Sequence, residues 1–122
     1  TTAFRLIPGS PKSTRLETRV VGSDVNPYLA AAACLAAGLY GIEHELELPS
    51  GPVEGSGYRD EAAPRLPTDL GEATERLRRS EIAPQLFGQG FVDHFVTTRA
   101  WEWRQFQAAV TNWETERYFE II

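Results

Sequence analysis

The sequence has 122 residues with a hydrophobic content of 42%, which is the size of one domain with enough apolar side chains for a single core. Its 17 acidic residues outnumber 12 basic residues and give a net charge of −5, which argues against nucleic acid and anionic membranes as partners. No apolar stretch approaches the roughly 20 residues of a membrane span. The single cysteine, Cys34, forms no internal disulfide, so we expect a cytoplasmic protein in which this thiol is buried.

Two strands open the predicted fold. Residues 3–7 and 14–21 are β-branched or alternate between polar and apolar types, and a Pro- and Gly-rich turn separates them. Because side chains in a strand alternate between its faces, the second strand should carry Arg15, Glu17 and Arg19 on one face. Its other face is apolar and should contribute to the core.

A long helix is predicted next, from about Pro27 to about His44. Asn26 suits the N-cap, and proline suits the first helical position because its missing N–H would be unpaired there. The helix is apolar nearly all round its circumference, which predicts burial against a sheet and neighbouring helices.

Three further helices follow a Pro- and Gly-rich loop at residues 48–67. Asp69 and Glu72 have the spacing of a capping box and predict a short amphipathic helix. Apolar periodicity from Phe91 predicts a longer helix, and a second capping-box pattern at Thr111 begins a final one. The sequence therefore predicts an α+β fold in which an antiparallel strand pair, belonging to a larger sheet, is followed by about four helices.

The segment Arg15-Leu16-Glu17-Thr18-Arg19 is the strongest candidate for chemistry, because it places a carboxylate between two guanidinium groups at intervals of about 6.5 Å along one strand face. Carboxylate oxygen suits a hard divalent cation, and arginine binds phosphate or carboxylate oxygens in pairs, as phosphoryl transfer requires. Arg5 on the adjoining strand adds a third positive charge. The same pattern also occurs as a solvent-facing ladder of ion pairs, and spacing alone does not separate the two interpretations.

Three segments resemble the C-terminal region of the glutamine synthetase family in their order and spacing. They are Ser10-Pro11-Lys12-Ser13-Thr14-Arg15-Leu16-Glu17-Thr18-Arg19, Asp24-Val25-Asn26-Pro27-Tyr28-Leu29-Ala30 and Gly38-Leu39-Tyr40-Gly41-Ile42. A looser similarity continues through residues 66–70 and the helix that they open. Residues 1–122 thus look like the C-terminal part of that family's catalytic domain, and the start at Thr1, without an initiator methionine, leads us to expect a fragment of a longer chain.

The resemblance implies a role for each residue of the motif. In the family the glutamate binds the metal that bridges the ATP phosphates, so Glu17 is the expected ligand of Mg²⁺ or Mn²⁺. Arg15 and Arg5 are expected to contact ATP phosphates. Arg19 is expected to bind the substrate glutamate and the transferred phosphoryl group, which makes it the catalytic residue. The family's other metal ligands, a histidine and several glutamates, have no counterpart in this sequence.

The implied activity is ATP-dependent ligation of ammonia to the γ-carboxylate of glutamate through γ-glutamyl phosphate. A γ-glutamyl-amine or polyamine ligase of the same family is an alternative, and a non-catalytic helical interaction module is an alternative from a different class. The family also implies a ring-shaped homo-oligomer with active sites between subunits, so we expect the isolated chain to be inactive. The sequence leaves open the amine, the metal, the subunit number and feedback control.

Several other residues are assigned to packing. His44 and His94 lack the spacing of metal ligands. Tyr58 lies where some family members carry a regulatory tyrosine, but its surroundings depart from their pattern, so we expect an ordinary loop residue. The three tryptophans are expected in the core or at subunit contacts.

Overall fold

The structure is a computed structural model that describes residues 2–48, 51–119 and 121. The chain divides into two compact units, Thr1–Arg65 and Leu66–Ile122. The first contains an antiparallel strand pair and one long helix, and the second is helical, which confirms the predicted α+β class. In the described residues, no helix combines the length and the apolar content needed to cross a bilayer.

The two strands are β1, Phe4–Ile7, and β2, Arg15–Thr18, and they pair antiparallel with Arg5 opposite Glu17. Both predicted strands exist. The second ends at Thr18 and not at the predicted residue 21, because its partner β1 begins only at Phe4 and a single further bond, from the Arg19 N–H to the Ala3 carbonyl, follows the ladder.

Hydroxyl groups close the turn between the strands. Thr14 Oγ1 donates to the Gly9 carbonyl at 3.1 Å and accepts from the Gly9 N–H at 3.2 Å. The Ser13 N–H donates to the Ser10 carbonyl at 2.9 Å. Short hydroxyl side chains that bond the local backbone are typical of turns, and these bonds hold the start of β2 beside the end of β1.

Helix α1 is Pro27–Glu43. The Asn26 side chain caps it as predicted, accepting from two first-turn N–H groups at 3.0 and 3.3 Å. At its other end the ring of His44 stacks on Tyr40 with 3.9 Å between centroids, and its Nδ1 lies 2.9 Å from the Tyr40 carbonyl. His44 is thus an exposed residue that stacks on Tyr40, in agreement with the prediction of a surface or packing residue.

The prediction that α1 is buried is wrong for this chain. None of its residues is buried, and Tyr28, Leu35 and Ile42 are 84%, 65% and 75% exposed. Cys34, predicted to be buried, is exposed as well. The physical reason is that a two-stranded sheet offers too little surface to cover a helix of 17 residues.

The second unit contains four helices. They are α2, Leu70–Arg78; α3, Ala83–Phe87; α4, Gln89–Ala108; and α5, Asn112–Tyr118. Three of them match the predicted helices, whereas α3 lies in a segment that the sequence marks as a break around Pro84. Proline occupies the first turn of α3, where its missing N–H has no partner to lose, and Gly88 ends the helix at a φ of 80°.

A small core joins α2, α3 and α4. Its buried side chains are Ala83, Val92 and Val96, with Leu77 and Phe87 packed against them. Three buried apolar residues form a modest core, so interactions at the helix ends carry a larger share of the stability than in a large domain.

Both predicted capping boxes form, one with an altered geometry. Asp69 Oδ1 accepts from the Glu72 N–H at 2.8 Å, whereas the returning Glu72 carboxylate accepts from the Thr68 N–H at 2.9 Å, one residue before the cap. At α5 the Thr111 and Glu114 side chains each bond the other residue's backbone, which completes the box.

The carboxylate of Glu72 should make stability pH-dependent. The Thr68 N–H, and next the Arg76 guanidinium at 2.7 Å, hold the pKa of Glu72 below its ordinary value of 4.5. A carboxylate whose pKa is lowered in the folded state stabilises that state above 4.5, and the effect is lost as the pH falls through the folded pKa. Glu72→Gln should therefore lower the unfolding temperature at about pH 7 and have a smaller effect at about pH 3. Thermal unfolding followed by circular dichroism measures both.

The exposed Glu116 provides the control for this experiment. Glu116→Gln lies in α5 but outside its capping box, so it should change the unfolding temperature little at either pH. A Glu72→Gln difference of constant size across the pH range would contradict the prediction.

A close contact between α2 and α4 depends on a glycine. A Cβ added at Gly71 would lie 2.6 Å from Trp103 Nε1 and 2.8 Å from Cε2. Gly71→Ala should therefore destabilise the unit by about 1–3 kcal/mol, because a large rigid ring must move, and this outweighs the gain in helix propensity of about 1 kcal/mol. Gly90→Ala in α4 is the matched control, since its Cβ would meet nothing within 4 Å. Urea unfolding should show the control neutral or more stable, and equal losses in both variants would refute the packing argument.

Candidate functional site

The four site residues predicted from the sequence lie on or next to the strand pair. Arg5 is in β1, Arg15 and Glu17 are in β2, and Arg19 follows β2 directly. Arg5 is the cross-strand partner of Glu17, and Arg15 is two residues from Glu17 along the strand. Because directly paired residues and alternate residues share a face of a sheet, Arg5, Arg15 and Glu17 project from the same side.

Ion pairs in the structure agree with this placement. Arg5 Nη1 lies 3.7 Å from Glu17 Oε2, and Arg15 Nε lies 3.8 Å from Glu17 Oε1, so each carboxylate oxygen faces a different guanidinium. Both distances exceed the roughly 2.7–2.9 Å of a charge-assisted hydrogen bond. The side chains of Arg5 and Arg15 are also 60% and 61% exposed. These pairs contribute little to stability, so the three charges can exchange partners for ligand oxygens at small cost.

Arg19 extends the paired backbone beyond β2. Its N–H donates to the Ala3 carbonyl at 2.8 Å, so the chain remains extended past Thr18. Alternation along an extended chain assigns Arg19 to the same side as Glu17. Within residues 2–48, 51–119 and 121, the Arg19 guanidinium has no ion pair or hydrogen bond, which leaves its donors available to a ligand.

The other side of β2 contacts helix α1. Cys34 Sγ donates to Thr18 Oγ1 at 3.6 Å, and Thr18 lies between Glu17 and Arg19. Sequence reasoning missed this contact. Alternation assigned Thr18 to the side away from Glu17, but a single sequence does not reveal which helix residue lies behind the strand.

Glu17 fits a divalent cation as one ligand of several. Carboxylate oxygen is a preferred ligand of Mg²⁺ and Mn²⁺, and the Glu17 side chain is 36% exposed and therefore accessible. In the described part of the chain, no group of three or more histidine, cysteine, aspartate or glutamate residues is placed to hold a metal. These residues therefore supply one carboxylate, and further ligands have to come from substrate, water or other protein segments.

The tyrosine and most of the tryptophans considered from the sequence are exposed. The Tyr58 side chain is 83% exposed, within a short 3₁₀-helix at Gly57–Arg59. Trp101 and Trp113 are 53% and 64% exposed and are not core residues of this chain, whereas Trp103 packs on α2.

Comparison with known proteins gives a consistent set of relatives. The family model described as glutamine synthetase, catalytic domain, matches residues 1–118. Type-1 glutamine synthetase 2 of Dictyostelium discoideum is 53% identical over 125 residues, covering 100% of this chain and 24% of that protein. Gamma-glutamylethanolamide synthetase GlnA4 of Streptomyces coelicolor is 46% identical over 120 residues, covering 98% and 25%. Glutamate–isopropylamine ligase of a Pseudomonas species is 41% identical over 124 residues, covering 100% and 27%. The chain thus spans about a quarter of the length of these relatives.

Proposed function

The chain belongs to the glutamine synthetase catalytic-domain family, and from this membership we propose that it forms the C-terminal part of that domain in a longer enzyme. The enzyme ligates ammonia to the γ-carboxylate of glutamate and uses ATP to activate that carboxylate. The observation that carries the proposal is the meeting of Arg5, Arg15 and Glu17 on one sheet face. Membership in a catalytic-domain family favours this interpretation over a non-catalytic interaction module.

Each residue of the site has a role in this proposal. Glu17 is a ligand of Mg²⁺ or Mn²⁺, which when bound neutralises charge on the ATP phosphates. Arg5 and Arg15 bind phosphate oxygens, for which they release their long contacts to Glu17. Arg19 binds the glutamate side chain and the phosphoryl group in transfer.

The reaction has two steps. An oxygen of the glutamate γ-carboxylate forms a bond to the γ-phosphorus of ATP as the bond to ADP breaks, which gives γ-glutamyl phosphate. The amine nitrogen then attacks the acyl carbon, inorganic phosphate leaves and the nitrogen loses a proton. Negative charge is spread over the transferring oxygens in the first step, and a fixed guanidinium such as Arg19 stabilises it without reorganising solvent.

The proposal has two forms, which differ in whether the amine substrate is ammonia or a larger amine. The 53% identical relative is named a glutamine synthetase, whereas the 46% and 41% identical relatives are named for ethanolamide and isopropylamine products or substrates. The second form is a γ-glutamyl-amine ligase that uses a larger amine. The same two chemical steps apply to both, because only the attacking nitrogen differs.

A homo-oligomeric ring and a cytoplasmic location are parts of the same proposal. Large side chains on α1 such as Leu35, Leu39 and Ile42 are at least half exposed, and apolar surface of this kind is normally covered by protein. We expect the remainder of the enzyme and neighbouring subunits to cover it.

Phosphate release by the full-length enzyme tests the function. ATP and glutamate are supplied with ammonia, ethanolamine, isopropylamine or a polyamine, each alone. Release that depends on ammonia supports a glutamine synthetase, and release that depends only on a larger amine supports the second form. If none of these amines causes glutamate-dependent release, the proposal is wrong in both forms. The isolated 122-residue chain should release none.

Arg19→Lys should damage catalysis more than folding. Lysine keeps the positive charge but not the planar pair of donors, so we expect kcat of the full-length enzyme to fall by about tenfold or more. The unfolding temperature should stay close to that of the parent, because the Arg19 side chain has no partner to lose among the described residues. Arg79→Lys is the control: its guanidinium pairs with Glu75 on the exposed surface of α2 at 2.6 Å. Equal activity in the two variants would show that Arg19 has no role in the reaction.

Glu17→Gln should weaken metal use. The amide keeps the size of the side chain but lacks the negative charge that a divalent cation requires, so the Mg²⁺ concentration for half-maximal activity should rise by about tenfold or more. Glu43→Gln, at the exposed end of α1, is the control and should leave the Mg²⁺ dependence unchanged. A parallel Mg²⁺ titration of the two variants decides the matter, and identical curves would exclude Glu17 as a ligand.

A further inference from the structure

We propose that Cys34 is a positioning residue for the site on β2 and that it acts through its hydrogen bond to Thr18. The inference rests on the proposed function, because it assigns Cys34 the task of holding the backbone that carries Glu17 and Arg19. Neither Cys34 nor Thr18 touches a substrate in this proposal.

The contact joins two elements that are distant in sequence. Cys34 Sγ donates to Thr18 Oγ1 at 3.6 Å, a distance suited to a sulfur donor, across 16 residues of sequence. Thr18 lies between Glu17 and Arg19, and its side chain points to the opposite side of the strand. A hydrogen bond at Thr18 therefore restrains the peptide units of Glu17 and Arg19. It does so from the side of the sheet opposite to their charged side chains.

β2 has few other restraints. Among the described residues it pairs with β1 alone, and Phe4, Leu6 and Leu16 of this sheet are 57%, 67% and 62% exposed. A two-stranded sheet is only marginally stable by itself. Exposure decreases along β2 from Arg15 to Thr18, that is, toward the contact with α1.

Helix α1, which carries Cys34, is closed at both ends. Its first turn is capped by Asn26, and its last turn is closed by His44, which bonds and stacks on Tyr40. Cys34 lies near the middle of the helix, where fraying of the ends has the least effect. Groups held by regular elements are placed more accurately than groups held by loops.

The expected effect is moderate, because a thiol–hydroxyl bond is weak. Small displacements of a reacting group slow catalysis strongly, so even a weak restraint has a measurable effect on rate. Loss of the bond should lower kcat/KM for glutamate by about two- to fivefold.

Variants of the full-length enzyme test the bond from both ends. Cys34→Ala removes the donor and Thr18→Val removes the acceptor with little change of shape, and each should show the loss in kcat/KM for glutamate. The double variant should be no worse than the poorer single variant, because both remove one bond. Cys34→Ser and Thr18→Ser keep a donor and an acceptor and should recover most of the activity. Glu43→Gln, at the exposed end of α1, controls for changes in the helix that do not reach the strand.

Hydrogen exchange separates this inference from the proposed function. Amide exchange of the full-length protein, read by mass spectrometry on the peptide that contains residues 15–19, should be faster in Cys34→Ala and Thr18→Val and unchanged in Glu43→Gln. An inactive parent enzyme would overturn the proposed function, and the exchange rates would still decide whether Cys34 holds β2. Unchanged exchange, or additive losses of activity in the double variant, would overturn the role of Cys34.

Discussion

The antiparallel pairing of Arg5 with Glu17 is the constraint on which the candidate site depends. A shift of one residue between β1 and β2 would turn every side chain of one strand to the other side of the sheet and separate the carboxylate from its arginines. The register is set by the turn, where Thr14 bonds both backbone groups of Gly9. A few hydroxyl contacts in a loop thus determine which charges meet several residues away.

The two units differ in the interactions that stabilise them. In the second unit, helix caps such as Asp69 and Thr111 act within four residues, and a small core of valine and alanine holds three helices together. In the first unit the strands and α1 are well formed locally, but their apolar sides are mostly uncovered within this chain. The regular elements arise from local interactions, whereas burial of α1 requires protein surface beyond these residues.

This difference explains what the sequence could predict. Strand alternation, the Asn26 cap and the two capping boxes are local, and the sequence predicts each of them correctly. The charged face of the site was predicted for the same reason, since period-2 alternation and the pairing of adjacent strands bring Arg5 near Glu17.

Features that depend on distant residues were predicted less well. Burial of α1 and of Cys34 was inferred from apolar composition, which reports a preference for burial but not the presence of a partner surface. The contact between Cys34 and Thr18 depends on the packing of a helix behind a strand, and no spacing in a single sequence encodes it. The short helix α3 was missed because Pro84 indicates a break but is also compatible with a first helical turn.

Under the proposed function, the long contacts of Glu17 with its two arginines have a consequence for the order of ligand binding. A polyanion that arrives alone meets guanidinium groups already attracted to a fixed anion, and a divalent cation that arrives alone meets a carboxylate between two positive charges. When both arrive together, the arginines exchange Glu17 for the polyanion and Glu17 exchanges the arginines for the cation. Each attraction that is lost is then replaced by a stronger attraction. Occupancy by either ligand then favours the other, and by thermodynamic linkage this cooperativity is equal in both directions.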